Sequence, residues 1–281
     1  MGAAAVGLAC LVATVVLGRD GPSDSAEHRA GHVHALGVDP RDDSLFIASH
    51  SGLFRVARGD GTPSRVGTRQ QDTMGFSVAG PNRFLASGHP DLRDRLPSRL
   101  GLVESRDEGK SWKPVSLLGR ADFHVLRARG KCVVGYDSAS GNIFTSGDGG
   151  QRWKEHRFEG PLVDLVMSPG AGRALLATSP VQLLLSRDGG RSWGALSETT
   201  GLLAWPQPEQ LYLLASDGRL WISPDLGRRW RGLSNIGGRP AAIAAPGGRI
   251  YVSLRNGVIK RSMDGGRSWQ MITRLDGHTP N

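Results

Sequence analysis

Five histidines, one methionine and four aspartates hold most of the chemistry available to this chain. They are His32, His34, His50, His89 and His124, with Met74, Asp72, Asp122, Asp137 and Asp164; Tyr136 joins them. Imidazole is the commonest transition-metal ligand near neutral pH. Imidazole with thioether suits copper, and imidazole with carboxylate suits zinc. His34, His50, His89 and His124 are therefore the candidate metal ligands, and His32, Met74 and Asp137 complete the candidate ligand-binding set. Copper or zinc is the cofactor these side chains would take, although nothing in the sequence requires one. Hydrolysis is the rival chemistry. Breaking a glycosidic bond takes two carboxyl groups ~5–9.5 Å apart. Asp72, Asp122, Asp137 and Asp164, with Tyr136, are the catalytic candidates, and no spacing selects a pair. The plainest alternative is a wet channel mouth whose polar groups satisfy one another.

Whether these residues meet depends on the elements that carry them, and a repeat defines those elements. The pattern S-x-D-x-G-x-x-W begins at Ser105, Ser146, Ser186, Ser223 and Ser262. Its aspartates, Asp107, Asp148, Asp188, Asp225 and Asp264, follow one another at intervals of 41, 40, 37 and 39 residues. A period near 40 residues with strand-like segments between the copies means propeller blades, each a four-stranded sheet. Within each copy the short Asp side chain caps backbone N–H groups of a tight turn. Gly supplies the positive φ of a bulged hairpin, and Trp covers the turn while its N–H seeks a partner. The box is thus read as scaffold, and it lacks the oxygen ligands of a calcium loop. The parse places blades near 72–115, 121–156, 161–196, 200–233 and 239–272, with a blade without a box at 31–67. The expected fold is an all-β, six-bladed propeller over residues 31–281, preceded by residues 1–30 as a signal peptide or membrane anchor with a polar linker.

These five copies resemble the Asp-box (BNR) repeat of the sialidase-like propeller superfamily, over roughly residues 31–272. The wider pattern (HVHALGVDP, DTMGFSVAG, ASGHPDLR, ADFHVL, GYDS) is similar to exported bacterial propellers catalogued as glycosyl hydrolases. The resemblance implies that each box joins the third and fourth strands of a blade. It also implies a range of functions, since Asp-box propellers include photosystem-assembly factors and sortilin-like receptors that bind proteins. A sialidase needs three arginines on the substrate carboxylate, a Tyr nucleophile with a Glu, and an Asp acid/base. The Arg-Ile-Pro-type segment is missing here. Of Tyr136, Tyr212 and Tyr251 only Tyr136 falls on the expected ligand face, without a Glu beside it; Glu104 lies in a third strand near a box. True sialidase activity is not expected, and fold alone does not settle function.

Strands alternate in direction along a blade, so the start of strand A and the end of strand B share one face and the boxes lie on the other. Aligned starts of strand A hold His34, Met74, His124, Asp164, Leu203 and Ala241. Aligned ends of strand B hold His50, His89, Asp137, Ser179, Asp217 and Arg255. Five of the eight histidines thus fall on one face, in blades one to three. His32 and His34 share a side of their strand. The stretch DLRDRLPSR makes a long B–C loop in blade two; it reads first as a solvated excursion, with partial cover of the channel by Asp91, Arg93, Asp94, Arg95 and Arg99 as the functional alternative. The opposite face carries Arg106, Arg152, Arg187, Arg191, Arg228, Arg229 and Arg267, a basic rim that would attract an anionic membrane or wall polymer.

The net charge of +9 rests on 35 basic residues, only five of them Lys. With no nucleic-acid module in the sequence, this reads as an Arg-rich solvated surface, and no nucleic-acid partner is expected. Residues 2–18 carry no charge and are apolar but for Thr14, which points to export and to a secreted or membrane-tethered, extracytoplasmic domain. Cys10 and Cys132 make no disulfide framework. The expected partners are a small molecule, a metal ion, a glycan or an envelope protein, bound by a monomer.

Overall fold

A computed structural model of the chain describes residues 32–170 and 173–275. The apolar leader, its Cys10 and the polar linker lie outside the described residues. Blade one is β1 (Val33–Val38), β2 (Leu45–Ser49), β3 (Gly52–Val56) and β4 (Ser64–Arg65). Blade two is β5 (Asp72–Gly80), β6 (Arg83–His89), β7 (Leu102–Ser105) and β8 (Lys113–Ser116). Blade three is β9 (Phe123–Arg129), β10 (Cys132–Asp137), β11 (Asn142–Ser146) and β12 (Lys154–His156). Blade four is β13 (Asp164–Met167), β14 (Leu175–Thr178), β15 (Leu183–Ser186) and β16 (Gly194–Ser197). Blade five is β17 (Leu202–Gln207), β18 (Gln210–Leu214), β19 (Arg219–Ser223) and β20 (Arg231–Asn235). Blade six is β21 (Pro240–Ala244), β22 (Ile250–Leu254), β23 (Val258–Ser262) and β24 (Gln270–Arg274). All six sheets are antiparallel, and each takes its four strands in sequence order. The expected six-bladed architecture is therefore the observed one.

Apolar patterning explains the stacking. One hydrophobic cluster fills every interface between neighbouring blades. Phe46 and Leu53 of blade one meet Phe76, Phe84 and Val103 of blade two, and Leu85 and Leu102 meet Phe123, Leu126 and Val133 of blade three. The ring closes in the same way, with Val33, Ile47 and Phe54 against Tyr251, Ile259 and Leu275. The Arg249 guanidinium adds an ion pair to Asp43, 2.5 Å away. Among the described residues no strand of blade six enters the sheet of blade one. The apolar content of 38% is modest, and it would fit strands with one face in water. Instead β2, β14 and β22 are buried along their whole length, because each sheet has a neighbour on both faces. Outer strands such as β8 and β16 carry the exposure.

The boxes form the turns between third and fourth strands, and they bond internally as their residue types require. In every copy the Ser hydroxyl donates to the Asp carboxylate at 2.7–2.9 Å and accepts from the Gly N–H four residues on. The same carboxylate caps the N–H groups of the turn, for example those of Arg191 and Ser192. Gly150 shows why the box needs glycine. Its φ is +89°, and a Cβ there would come within 2.1 Å of Leu102 Cδ2 in the preceding blade. The Trp153 and Trp269 N–H groups donate to Ser116 and Ser234, whose hydroxyls donate in turn to the Gly150 and Gly266 carbonyls. The arginines of this end are exposed as expected. Arg106, Arg152 and Arg229 are each paired with a nearby carboxylate, which offsets part of the basic rim.

Candidate functional site

At the other end of the ring the strands do something periodicity cannot encode. The pairing of β1 with β2 skips one residue, His34, between Val33 and Ala35. The β5–β6 pairing skips Met74 between Thr73 and Gly75. The β9–β10 pairing skips His124 between Phe123 and Val125. Each is a β-bulge, a device that re-aims one side chain. Gly88 of β6 makes the second bulge possible. Its φ is +135°, and a Cβ would sit 2.1 Å from the Asp72 carbonyl oxygen. The bulged side chains face a central cavity of about 690 Å³, whose lining includes His32, His34, His50, Met74, His124 and Tyr136. The His32 and His34 rings stack with centroids 4.9 Å apart, in keeping with their shared side of the strand.

The histidines do not converge on one point. They form two groups, each spanning two blades and each completed by an aspartate. In the first, His34 Nε2 and His50 Nδ1 lie 3.2 Å apart. Asp72, at the start of β5, places Oδ1 3.3 Å from His34 and Oδ2 3.1 Å from His50. The two ring nitrogens and the two carboxylate oxygens all carry lone pairs, which repel one another unless a proton or a cation sits among them. Ligands at 2.0–2.1 Å around a tetrahedral ion stand about 3.3 Å from one another; the two ring nitrogens stand 3.2 Å apart, with one Asp72 oxygen 3.3 Å from the first and the other oxygen 3.1 Å from the second. Asp72 Oδ1 is buried and accepts no aligned hydrogen bond, so its contact with His34 is one of charge and proximity only.

The second group joins the end of β6 to the start of β9. His124 Nε2 stands 3.0 Å and His89 Nε2 3.6 Å from Asp122 Oδ2. The Ser138 hydroxyl donates to the same oxygen at 3.0 Å. Asp122 is only 6% exposed, and its Oδ1 has no hydrogen-bond partner. Burial pushes the Asp122 carboxyl up; the His124 hydrogen bond, the charges of His124 and His89 and the Ser138 hydroxyl outweigh it and hold the group below its ordinary value. His89 Nδ1 is 2.7 Å from the Ser98 carbonyl. A carbonyl only accepts, so Nδ1 carries a proton, and Nε2 is the ring nitrogen that faces the aspartate. Backbone orientation of the second ring nitrogen is how metal-binding histidines are commonly held.

Ser98 belongs to the long loop of blade two, which neither covers the channel nor stands free in solvent. Its residues do not line the cavity. Asp91 is buried and turns the loop back, accepting from the Gln70 N–H at 2.7 Å and from Arg93. Those bonds, led by the Arg93 side chain, hold the Asp91 carboxyl far below its ordinary value. Arg69 pairs with Asp94. The loop therefore packs on the connector between blades one and two instead of covering the channel, and it fixes His89.

The other acidic candidates are occupied within the fold. Asp137 accepts from the Asp122 N–H at 2.6 Å and from the Ser140 N–H and hydroxyl. Asp164 accepts from the Leu165 and Leu203 N–H groups and from Arg127. Tyr136 faces the cavity, with its ring against Phe158. Glu104 is held by Arg83 and Arg106. Asp72 and Asp122, first read as hydrolytic carboxylates, are the ones that stand among imidazoles.

No protein-family model matches the chain, and no curated protein sequence matches it. Many solved structures share the fold. One is YCF48 bound to D1 peptide, 18% identical, with a TM-score of 0.55 over 86% of this chain and 81% of that one. Another is the GH74 xyloglucanase from Xanthomonas campestris, 17% identical, with a TM-score of 0.55 over 86% of this chain but 45% of the enzyme. A chain of the nidogen/laminin complex is 14% identical, with a TM-score of 0.61 over 82% of this chain and 93% of that one. At these identities the likeness is one of fold: a glycoside hydrolase and protein-binding propellers stand among distant neighbours.

Proposed function

We propose that this propeller is a binding protein that holds transition-metal ions, zinc or copper(II), on the histidine-rich end of blades one to three. The observation that carries this reading is the pair of histidine–aspartate groups, each with a buried carboxylate oxygen left without a hydrogen bond. A buried lone pair without a donor costs about 1–3 kcal/mol; a cation beside His34 removes that cost for Asp72 Oδ1, while in the second group the imidazoles face the other oxygen, Asp122 Oδ2. Each group offers three ligands and leaves a fourth position open, so a bound ion could contact a further ligand from solvent. The apolar residues 2–18 support an extracytoplasmic setting. Calorimetric titration of the full chain with Zn(II) and Cu(II) tests the reading. Two bound ions are expected, with one lost in His50→Ala and the other in His89→Ala. A chain that takes up neither ion, or variants that bind as the parent does, would end it.

Hydrolysis of a glycan is less well supported, because Asp137 and Asp164 already spend their oxygens on backbone and Arg127. Turnover of a glycoside library by the metal-free chain, abolished by Asp72→Asn or Asp122→Asn, would replace binding with catalysis. A protein partner has its own support: Leu92, Leu96, Val163 and Val181 are exposed, all in or beside connections at the histidine end. Crosslinking to an envelope protein that survives Leu92→Ser with Val181→Ser would remove these side chains from the contact.

A further inference from the structure

Resting on the reading of this end as a metal site, we infer that Met74 is a soft ligand shared between the two groups and that it makes this face a copper(I) site. Three observations carry the inference. Met74 is the skipped residue of the bulge in blade two, as His34 is in blade one and His124 in blade three. Strand β5 is flanked by β1 and β9, so the thioether is offered from between the two histidine bulges, into the cavity that His34, His50 and His124 also line. The bulge itself does not call for a long side chain, because blade six has the same irregularity with Ala241 as its skipped residue.

The chemistry follows from ligand softness. Cu(I) prefers thioether and imidazole over carboxylate, whereas Zn(II) and Cu(II) are well served by imidazole and carboxylate. One face then offers two kinds of coordination. Asp72 and Asp122 complete the sites for divalent ions. Met74, with an imidazole from His34, His50 or His124, completes one for the monovalent ion. No electron transfer is implied, since the ion is bound in the oxidation state in which it arrives.

The test is competition for Cu(I) against a chromophoric bicinchoninate chelator, under ascorbate, on the full chain with Cys10→Ser and Cys132→Ser. Those two changes are needed because Cys132 is an exposed free thiol and thiolate also binds Cu(I). Met74→Leu keeps the bulk and removes the sulfur. It is expected to weaken Cu(I) binding by at least about tenfold, to leave Zn(II) binding unchanged, and to remove a copper–sulfur path from the X-ray absorption spectrum. Met74→His should retain copper binding while losing the preference for Cu(I) over Zn(II). Equal Cu(I) affinity in the parent and Met74→Leu, with Zn(II) still bound, overturns the role of Met74 and spares the metal reading. A parent chain that binds none of these ions overturns both.

Discussion

The two ends of the ring use aspartate in opposite ways. At the box end each Asp is closed in on itself: Asp188 accepts from Ser186, the Arg191 and Ser192 N–H groups and the Ser192 hydroxyl. At the histidine end Asp72 and Asp122 each keep one buried oxygen with no hydrogen bond. The box recurs in five blades almost unchanged, while the histidine pattern occupies three blades and differs in each. A unit that repeats and satisfies its own polar atoms serves the scaffold. A unit that departs from the repeat and leaves polar atoms wanting is where an external ligand gains most.

Changes at each end should therefore be felt in different quantities. Gly150→Ala forces a side chain onto positive φ and against Leu102, and should cost about 3 kcal/mol in denaturant unfolding without altering metal stoichiometry. Loss of metal with no loss of stability would contradict the division. Asp72→Ala should do the reverse, weakening one Zn(II) site by more than about 100-fold while leaving the melting temperature of the metal-free chain at or above that of the parent. Asp122→Ala should weaken its site less in absolute terms. The 3.6 Å approach of His89 is longer than any separation in the first group, so the second site should be the weaker one from the start. Ser186→Ala removes a buried hydroxyl that both donates and accepts, and should cost about 1–2 kcal/mol.

Acid should produce the smallest effect, and at the box end. Hydrogen bonds from the Arg229 side chain and N–H hold the Asp225 carboxyl down to about 2, against an ordinary value of 3.8. Asp188 and Asp264 are depressed further by their Ser192 and Ser268 bonds. A depressed carboxylate contributes stability above its unfolded value and loses it as pH falls through its folded one. Thermal melts of the metal-free chain should stay level down to pH about 4 and decline below it. A decline that begins near neutrality would place the sensitive groups elsewhere.

The blades were legible in sequence because the box is a local code. Its Ser, Asp, Gly and Trp satisfy one another within a few residues, so spacing alone reveals the turn and the turn reveals the blade. Blade one, without a box, is legible because its apolar runs follow the same rhythm. The chemistry was only half legible. Residue type and strand direction brought His32, His34, His50, Met74 and His124 to one cavity. The split into two groups was not visible, because it depends on which blade each aspartate leans toward. The bulges were invisible too, since a skipped residue exists only in the pairing of two strands. Asp137 and Asp164 looked equal to Asp72 and Asp122 until their partners could be counted.

The closure of the ring has a mechanical consequence. Because every sheet is complete in itself, no blade among the described residues is latched by a strand borrowed from another, and the seams hold by side-chain packing, a few ion pairs and cross-blade hydrogen bonds such as Trp153 to Ser116. Both histidine–aspartate groups lie across seams, blade one to two and blade two to three. An ion seated there would act as a rivet across joints held by packing, hydrogen bonds and ion pairs, so loading one sector of the wheel would stiffen it against being pried apart.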